Sequence, residues 1–167
     1  MNYFKVSDFI NDFKYETEAT IKIFKNLTDE SLKQKVTENG RSLGRLAWHI
    51  TGSFGEMGST AGLAGLHNVD DKIVPAEAKV IVDEYIKAAQ SLKKAVVKEW
   101  NDEAFNDEIN MYGEKWTKGQ TLSVLLVHQM HHRGQMTVLM RQAGLKVPGI
   151  YGPAFEEWSA IGMSPQE

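Results

Sequence analysis

The sequence predicts an all-α fold, a four-helix bundle. Three observations predict it: four segments repeat apolar residues at spacings of three and four, capping and stop residues bracket the clearest of them, and no strand pattern of weight competes. The chain of 167 residues suits one domain spanning 1–167, and 42% apolar residues is enough for a core.

In the first segment Val6, Phe9, Ile10, Phe13, Thr17, Thr20, Phe24 and Leu27 form the stripe, with Asp12, Lys14, Glu18, Lys22 and Lys25 between them. Ser7 is its candidate N-cap. Thr28 to Ser31 reads as a short connector, with Gly40 as punctuation. The second helix is expected to start near Ser42 and run through Leu46, His49 and Ile50 toward the glycine-rich stretch before His67. His67 to Pro75 reads as a loop. The third helix runs from about Glu77 to Trp100-Asn101, with Val82, Tyr85, Ile86, Ala89, Leu92 and Val96 on one stripe. Asp102 to Trp116 is less regular, with a turn or short strand expected around Ile109–Met111. The fourth helix opens on a capping box, Thr117 with Gln120, and stops at Gly144, with Pro148 beyond.

Composition narrows the function. A net charge of −3 with no Lys/Arg cluster argues against a nucleic-acid surface. The absence of cysteine removes disulfides, thiolate ligands and a cysteine nucleophile. No apolar run approaches the roughly 18–20 residues that span a bilayer. The opening Met1-Asn2-Tyr3-Phe4-Lys5 lacks a signal-peptide pattern, so a cytoplasmic location is expected.

His128 and His132 lie four residues apart, so they project from one face of the fourth helix and can reach one ion together. Leu125, Gln135, Met136 and Leu139 share that face, so the pair points inward. Burying two imidazoles among aliphatic groups requires partners for their nitrogens. A metal supplies them; hydrogen bonds from other helices are the alternative. His49, set within Leu46-Ala47-Trp48-His49-Ile50, adds a third inward imidazole from another helix, which favours the metal and puts the site between helices 2 and 4. His131 points away from the His128 direction and reads as a supporting or interfacial residue, and His67 as a surface residue.

The chain resembles the DinB/YfiT family of metalloenzymes. The resemblance is carried by Arg41-Ser42-Leu43-Gly44 leading into Leu46-Ala47-Trp48-His49-Ile50, by Trp116-Thr117, and by His128-Gln129-Met130-His131-His132-Arg133-Gly134-Gln135. Gly144-Leu145, Val147-Pro148-Gly149 and Tyr151-Gly152-Pro153 look like the DinB branch. The resemblance implies a four-helix bundle, often a homodimer, with a divalent metal held by His49, His128 and His132. It also implies a thiol-dependent S-transferase or isomerase using bacillithiol, mycothiol or glutathione as cosubstrate.

Three neutral imidazoles leave an ion its +2 charge and an open position, as in catalytic sites. Zinc suits the set best, and nickel, iron and manganese also accept imidazole. Such an ion lowers the pKa of water toward about 7 or holds a substrate thiol as thiolate. With this chemistry open to water and thiol alike, the resemblance sets the expected function: a metal-dependent enzyme acting on a small-molecule substrate, a thiol S-transferase on small electrophiles. The alternatives are a metal-dependent hydrolase and a non-enzymatic metal-binding stress-response protein. Glu56, seven residues after His49, returns to nearly the same face as a candidate general base, its alternative being a glutamate at the rim. Gln135 can hydrogen-bond a ligand imidazole or substrate, whereas Arg133 points elsewhere, toward a structural salt bridge. Tyr112, Trp116 and Tyr151 either fold over the bundle mouth or pack in the core. Gly52, Gly55, Gly58, Gly62 and Gly65 form a stripe that weakens a helix unless another backbone packs closely against it, across a homodimer in the favoured reading. The alternative ends the helix near Gly58.

Overall fold

The structure, a computed structural model, describes residues 2–165. It is mostly helical. Four long helices, α1 (Val6–Phe24), α2 (Leu43–Thr60), α3 (Ala78–Glu99) and α4 (Lys118–Gln142), carry the chain. Three short 3-10 segments, Ser31–Lys33, Glu103–Asn106 and Phe155–Ile161, lie in the connections and tail. α2 packs against α3 and α4, and α1 against the same two helices.

An antiparallel hairpin, β1 (Glu108–Met111) and β2 (Glu114–Thr117), corrects the all-α expectation. The strand anticipated at Ile109–Met111 is one arm of it. Glu108 pairs with Thr117 and Met111 with Glu114, leaving Tyr112 and Gly113 as a two-residue turn. Both turn residues have positive φ, 57° and 87°, as a primed turn requires. A tyrosine in that conformation hides the turn from a reading that looks for Asn-Gly. Fully buried Met111 anchors the hairpin in the core.

The caps on the site-bearing helices are local. The Ser42 hydroxyl accepts from the Arg45 amide at 3.1 Å, and the Thr117 hydroxyl accepts from the Gln120 amide at 3.1 Å. α4 ends on Gly144 at φ 72°, with the Leu145 amide donating back to the Met140 carbonyl at 2.9 Å. The start of α1 differs from expectation. Ser7 already lies inside the helix, and the free Val6 amide is taken by the Asp102 carboxylate, from the turn after α3, at 2.8 Å. The α3 stripe is buried at Tyr85, Ala89, Leu92 and Val96 as expected, but the buried arc also takes in Ile81, Ala88 and Ala95, while Val82 and Ile86 are half-buried. This helix packs on α1 and α2 at once, so its apolar arc is set by two neighbours.

The glycine stripe divides. α2 ends at Thr60, and Gly62 and Gly65 lie beyond it with left-handed φ of 88° and 65°. Within the helix, a methyl on Gly55 would collide with Asn68, and one on Gly58 would stand 2.7 Å from Leu66 and 3.0 Å from Leu92. The close approach that the glycines permit is therefore made by this chain's own loop and by α3. The dimer-packing explanation of the stripe is replaced by an intramolecular one.

Arg133 is placed as a structural salt bridge. Its guanidinium donates to the Glu16 carboxylate at 2.6 Å, to the Thr20 hydroxyl at 3.0 Å and to the Glu16 carbonyl at 3.2 Å, with Arg133 and Glu16 both buried. The Tyr151 hydroxyl joins the same carboxylate at 2.8 Å, tying the tail to α1 and α4.

Asp102→Ala is expected to lower the unfolding free energy by about 1 kcal/mol, whereas Ser7→Ala changes it by less than about 0.5 kcal/mol. Urea unfolding of both variants checks this; the reverse order would return the cap to Ser7.

Candidate metal centre

His49 sits in the second turn of α2, and His128 and His132 sit one turn apart on α4 where the two helices pack. Their ligand-capable nitrogens all lie within 4.8 Å of one another. The His128 Nε2 is 3.1 Å from the His49 Nε2 and 3.1 Å from the His132 Nε2. The rings meet edge to face, with interplanar angles of 71°, 78° and 87°.

A ring nitrogen carries either one proton or one lone pair, aimed in one direction. The His128 nitrogen therefore cannot form good hydrogen bonds to both neighbours at once. One ion at a common point accepts all three lone pairs. Tetrahedral zinc with bonds of about 2.0–2.1 Å keeps its donors roughly 3.3 Å apart, close to the 3.1 Å of the two pairs that His128 makes. The three residues thus form a group that could hold a metal ion.

The second ring nitrogens of His132 and His128 face partners of their own. The His132 Nδ1 is 2.8 Å from the Gln135 carbonyl oxygen, which only accepts, so Nδ1 carries the proton and Nε2 is left free. The Gln135 amide in turn donates to the His131 Nε2 at 3.1 Å, placing His131 behind the group as a support. The His128 Nδ1 faces the Ser53 hydroxyl at 3.5 Å, and that hydroxyl donates to the His49 carbonyl at 2.7 Å. Ser53 was not singled out from the sequence. Its signal is the four-residue step from His49, which puts it on the same face of α2.

Electrostatics keeps the rings neutral. Burial, then the Arg41 charge and the nearby His132, pull the His49 pKa from 6.5 down to about 4. Burial and the neighbouring imidazoles do the same to His128, also to about 4. His132 is lowered chiefly by burial, with the Gln135 bond opposing. Neutral imidazole is the form a metal requires. Only His132 is fully buried; His49 and His128 are half-buried, so the group lies at the rim of the core rather than in its depth.

Two cavities flank the histidines. One of about 440 Å³ lies on the His132 side, bounded by Arg41, Leu46, Gln135, Val138 and Leu139. The other, about 340 Å³, lies on the His49 side with Ser53, Glu56, Asn68 and Asp71. Glu56 shares that cavity wall with His49, and its carboxylate accepts from the Tyr112 hydroxyl at 2.8 Å. Tyr151 is held at the Arg133–Glu16 pair, and the Trp116 indole donates to Glu114 at 2.8 Å. Half-buried His67 pairs with Glu84 at 2.5 Å, away from the group.

A mostly helical fold in which two adjoining helices bring three imidazole nitrogens together defines a class, helical proteins with a three-histidine group that could hold a metal ion. The comparisons narrow that class. The whole chain, residues 1–167, matches the DinB family profile, and this protein belongs to the DinB family. It is 44% identical over 155 residues to the uncharacterized protein YrdA of Bacillus subtilis (strain 168), a match covering 93% of each chain. The crystal structure of a DinB-like protein from Bacillus cereus ATCC 10987 superposes with a TM-score of 0.86 at 42% identity, covering 89% of this chain and 99% of the other. A second DinB-like protein, YjoA of Bacillus subtilis, shares the fold at a TM-score of 0.66 and 18% identity, covering 88% of this chain and 99% of that one.

The depressed histidines make stability depend on pH. Their folded pKa of about 4 lies below the ordinary 6.5, so between those values the unfolded chain binds more protons. Stability present above about 6.5 is therefore lost as pH falls toward about 4. In chelator-treated protein the urea midpoint is expected to drop between pH 7 and pH 5, and to drop less in the His49→Ala/His128→Ala variant. Equal drops would remove the imidazoles as the cause.

Proposed function

We propose that this protein is a metal-dependent enzyme, a thiol S-transferase acting on small electrophiles, built as a single four-helix-bundle domain. The observation that supports it most is the convergence of three neutral Nε2 atoms, with three protein ligands in the group and a cavity on either side. In this reading His49, His128 and His132 hold the ion, zinc in the first instance, with nickel, iron and manganese as the other metals imidazole accepts. When bound, the ion supplies Lewis acidity that lowers the pKa of a thiol or water beside it.

The chain's own residues supply the rest. Gln135 fixes the tautomer of His132, and Ser53 orients His128. Glu56 is the carboxylate on the His49-side cavity available to take the thiol proton, once Tyr112 releases it. The sulfur then bonds to the electrophilic carbon as the leaving group departs. The thiol comes from outside the chain, which has no cysteine. A low-molecular-weight thiol such as bacillithiol, mycothiol or glutathione fills that role, and with it goes a cytoplasmic location, where thiols stay reduced. Among the described residues no helix is long and apolar enough to cross a membrane. A homodimer belongs to the proposal on family likeness, and light scattering that returns a monomer would remove it.

Zinc titration is expected to give one tight equivalent per chain. Partners that only orient a ligand contribute about 10–100-fold to affinity, so His49→Ala or His128→Ala should lose more than that. Metal-loaded protein is then offered an electrophile with and without each thiol. Turnover that needs the thiol supports the transferase, thiol-independent turnover points to a hydrolase, and tight metal binding without turnover points to a non-enzymatic metal-binding protein.

A further inference from the structure

The two cavities beside the histidines differ in charge. The one on the His49 side carries the carboxylates of Glu56 and Asp71. The one on the His132 side, about 440 Å³, has no acidic side chain among the described residues that line it, and its single charged group is Arg41. The chain has four arginines. Arg45 is paired with Asp71, Arg133 with Glu16 and Arg141 with Glu156. Arg41 has no carboxylate within ion-pair distance among the described residues, and its side chain lies at the cavity wall. Arg41 is exposed and shares the lining with buried Leu46 and Leu139 and exposed Val138, with His132 and Gln135 completing it.

A guanidinium facing a cavity without an internal counterion is matched by a ligand oxyanion, because its planar fork presents two parallel N–H donors to a carboxylate. One guanidinium balances one negative charge, which favours a monocarboxylate over a doubly charged phosphate. The aliphatic wall takes a hydrocarbon body, since covering it removes apolar surface from water. We propose that the Arg41 cavity binds the carboxylate of an amphipathic small molecule, with Arg41 gripping the charged end and Leu46, Val138 and Leu139 covering the carbon chain. The molecule's reacting end then lies toward His132. This deepens the function proposed above and rests on it only in taking that cavity as the path to the histidines. It makes Arg41 the determinant of specificity and leaves the Glu56 side for the partner reactant.

The test uses hexanoate and its uncharged analogue hexanamide as probes on the full chain, in a chelator-dialysed arm and a zinc-loaded arm. Binding is followed by methyl chemical shifts of Leu46, Val138 and Leu139. In the chelator-dialysed arm hexanoate is expected to bind at least tenfold more tightly than hexanamide. Arg41→Gln should abolish that preference, and Arg41→Lys should keep part of it, since lysine retains charge without the fork. Both variants should still take up zinc, because Arg41 is not among the three histidines. Equal binding of the two probes, no shift of those methyls by either, or a preference that survives Arg41→Gln would each overturn the inference. A wild-type protein that prefers hexanoate but takes up no zinc supports the pocket while removing the metal reading, so the two failures are separate.

Discussion

Three imidazoles crowd within a few ångströms of one another, and their surroundings favour the neutral form, the one that could hold a cation. Protonating any one would place a positive charge beside two other imidazoles and the Arg41 guanidinium in a partly dry setting. Half-burial at the α2–α4 contact is enough to exclude the charged form, yet it leaves the group reachable from two sides. Gln135 then fixes which nitrogen of His132 keeps its proton, and Ser53 stands where it can do the same for His128. Held this way, the nitrogens need little reorganisation to meet an ion.

That arrangement is only as rigid as α4, and α4 is fixed from its opposite side. Arg133 follows His132 directly, so it projects into the contact with α1, where Glu16 and Thr20 receive it in a buried pair. Removing one member of such a pair leaves an uncompensated charge and is strongly destabilising, which makes the helix hard to rotate or slide. Tyr151 brings the tail onto the same carboxylate, and its own hydroxyl is pushed up to about 12, chiefly by burial and the hydrogen bond to Glu16. One stretch of eight residues, His128 to Gln135, thus supplies two members of the histidine group, the residues behind them and the anchor of the helix that carries them.

The asymmetry of the two cavities follows from the loops rather than from the helices. The segment before α2 contributes Arg41 on one side, while the loop after α2, brought close because glycines line that face of the helix, contributes Asn68 and Asp71 on the other. The histidine group is thus flanked by a guanidinium on one side and by carboxylates on the other.

What could be read from the residues alone was whatever depends on neighbours within about four positions. The helical stripes, the Ser42 and Thr117 caps, the Gly144 stop and the shared face of His128 and His132 are all of this kind. The inward setting of His49 and the turn of Arg133 away from the histidines toward a salt bridge were legible for the same reason. Tertiary structure alone decided the rest. Asp102 caps a helix 96 residues away, the loop after α2 rather than a second copy fills the glycine face, Tyr112 accepts a left-handed turn while its hydroxyl reaches Glu56, and Ser53 and Arg41 come to flank the histidines. Those contacts depend on how α2 lies across α3 and α4. A periodic pattern fixes which face of a helix is buried, but not the angle or the neighbour against which that face is pressed.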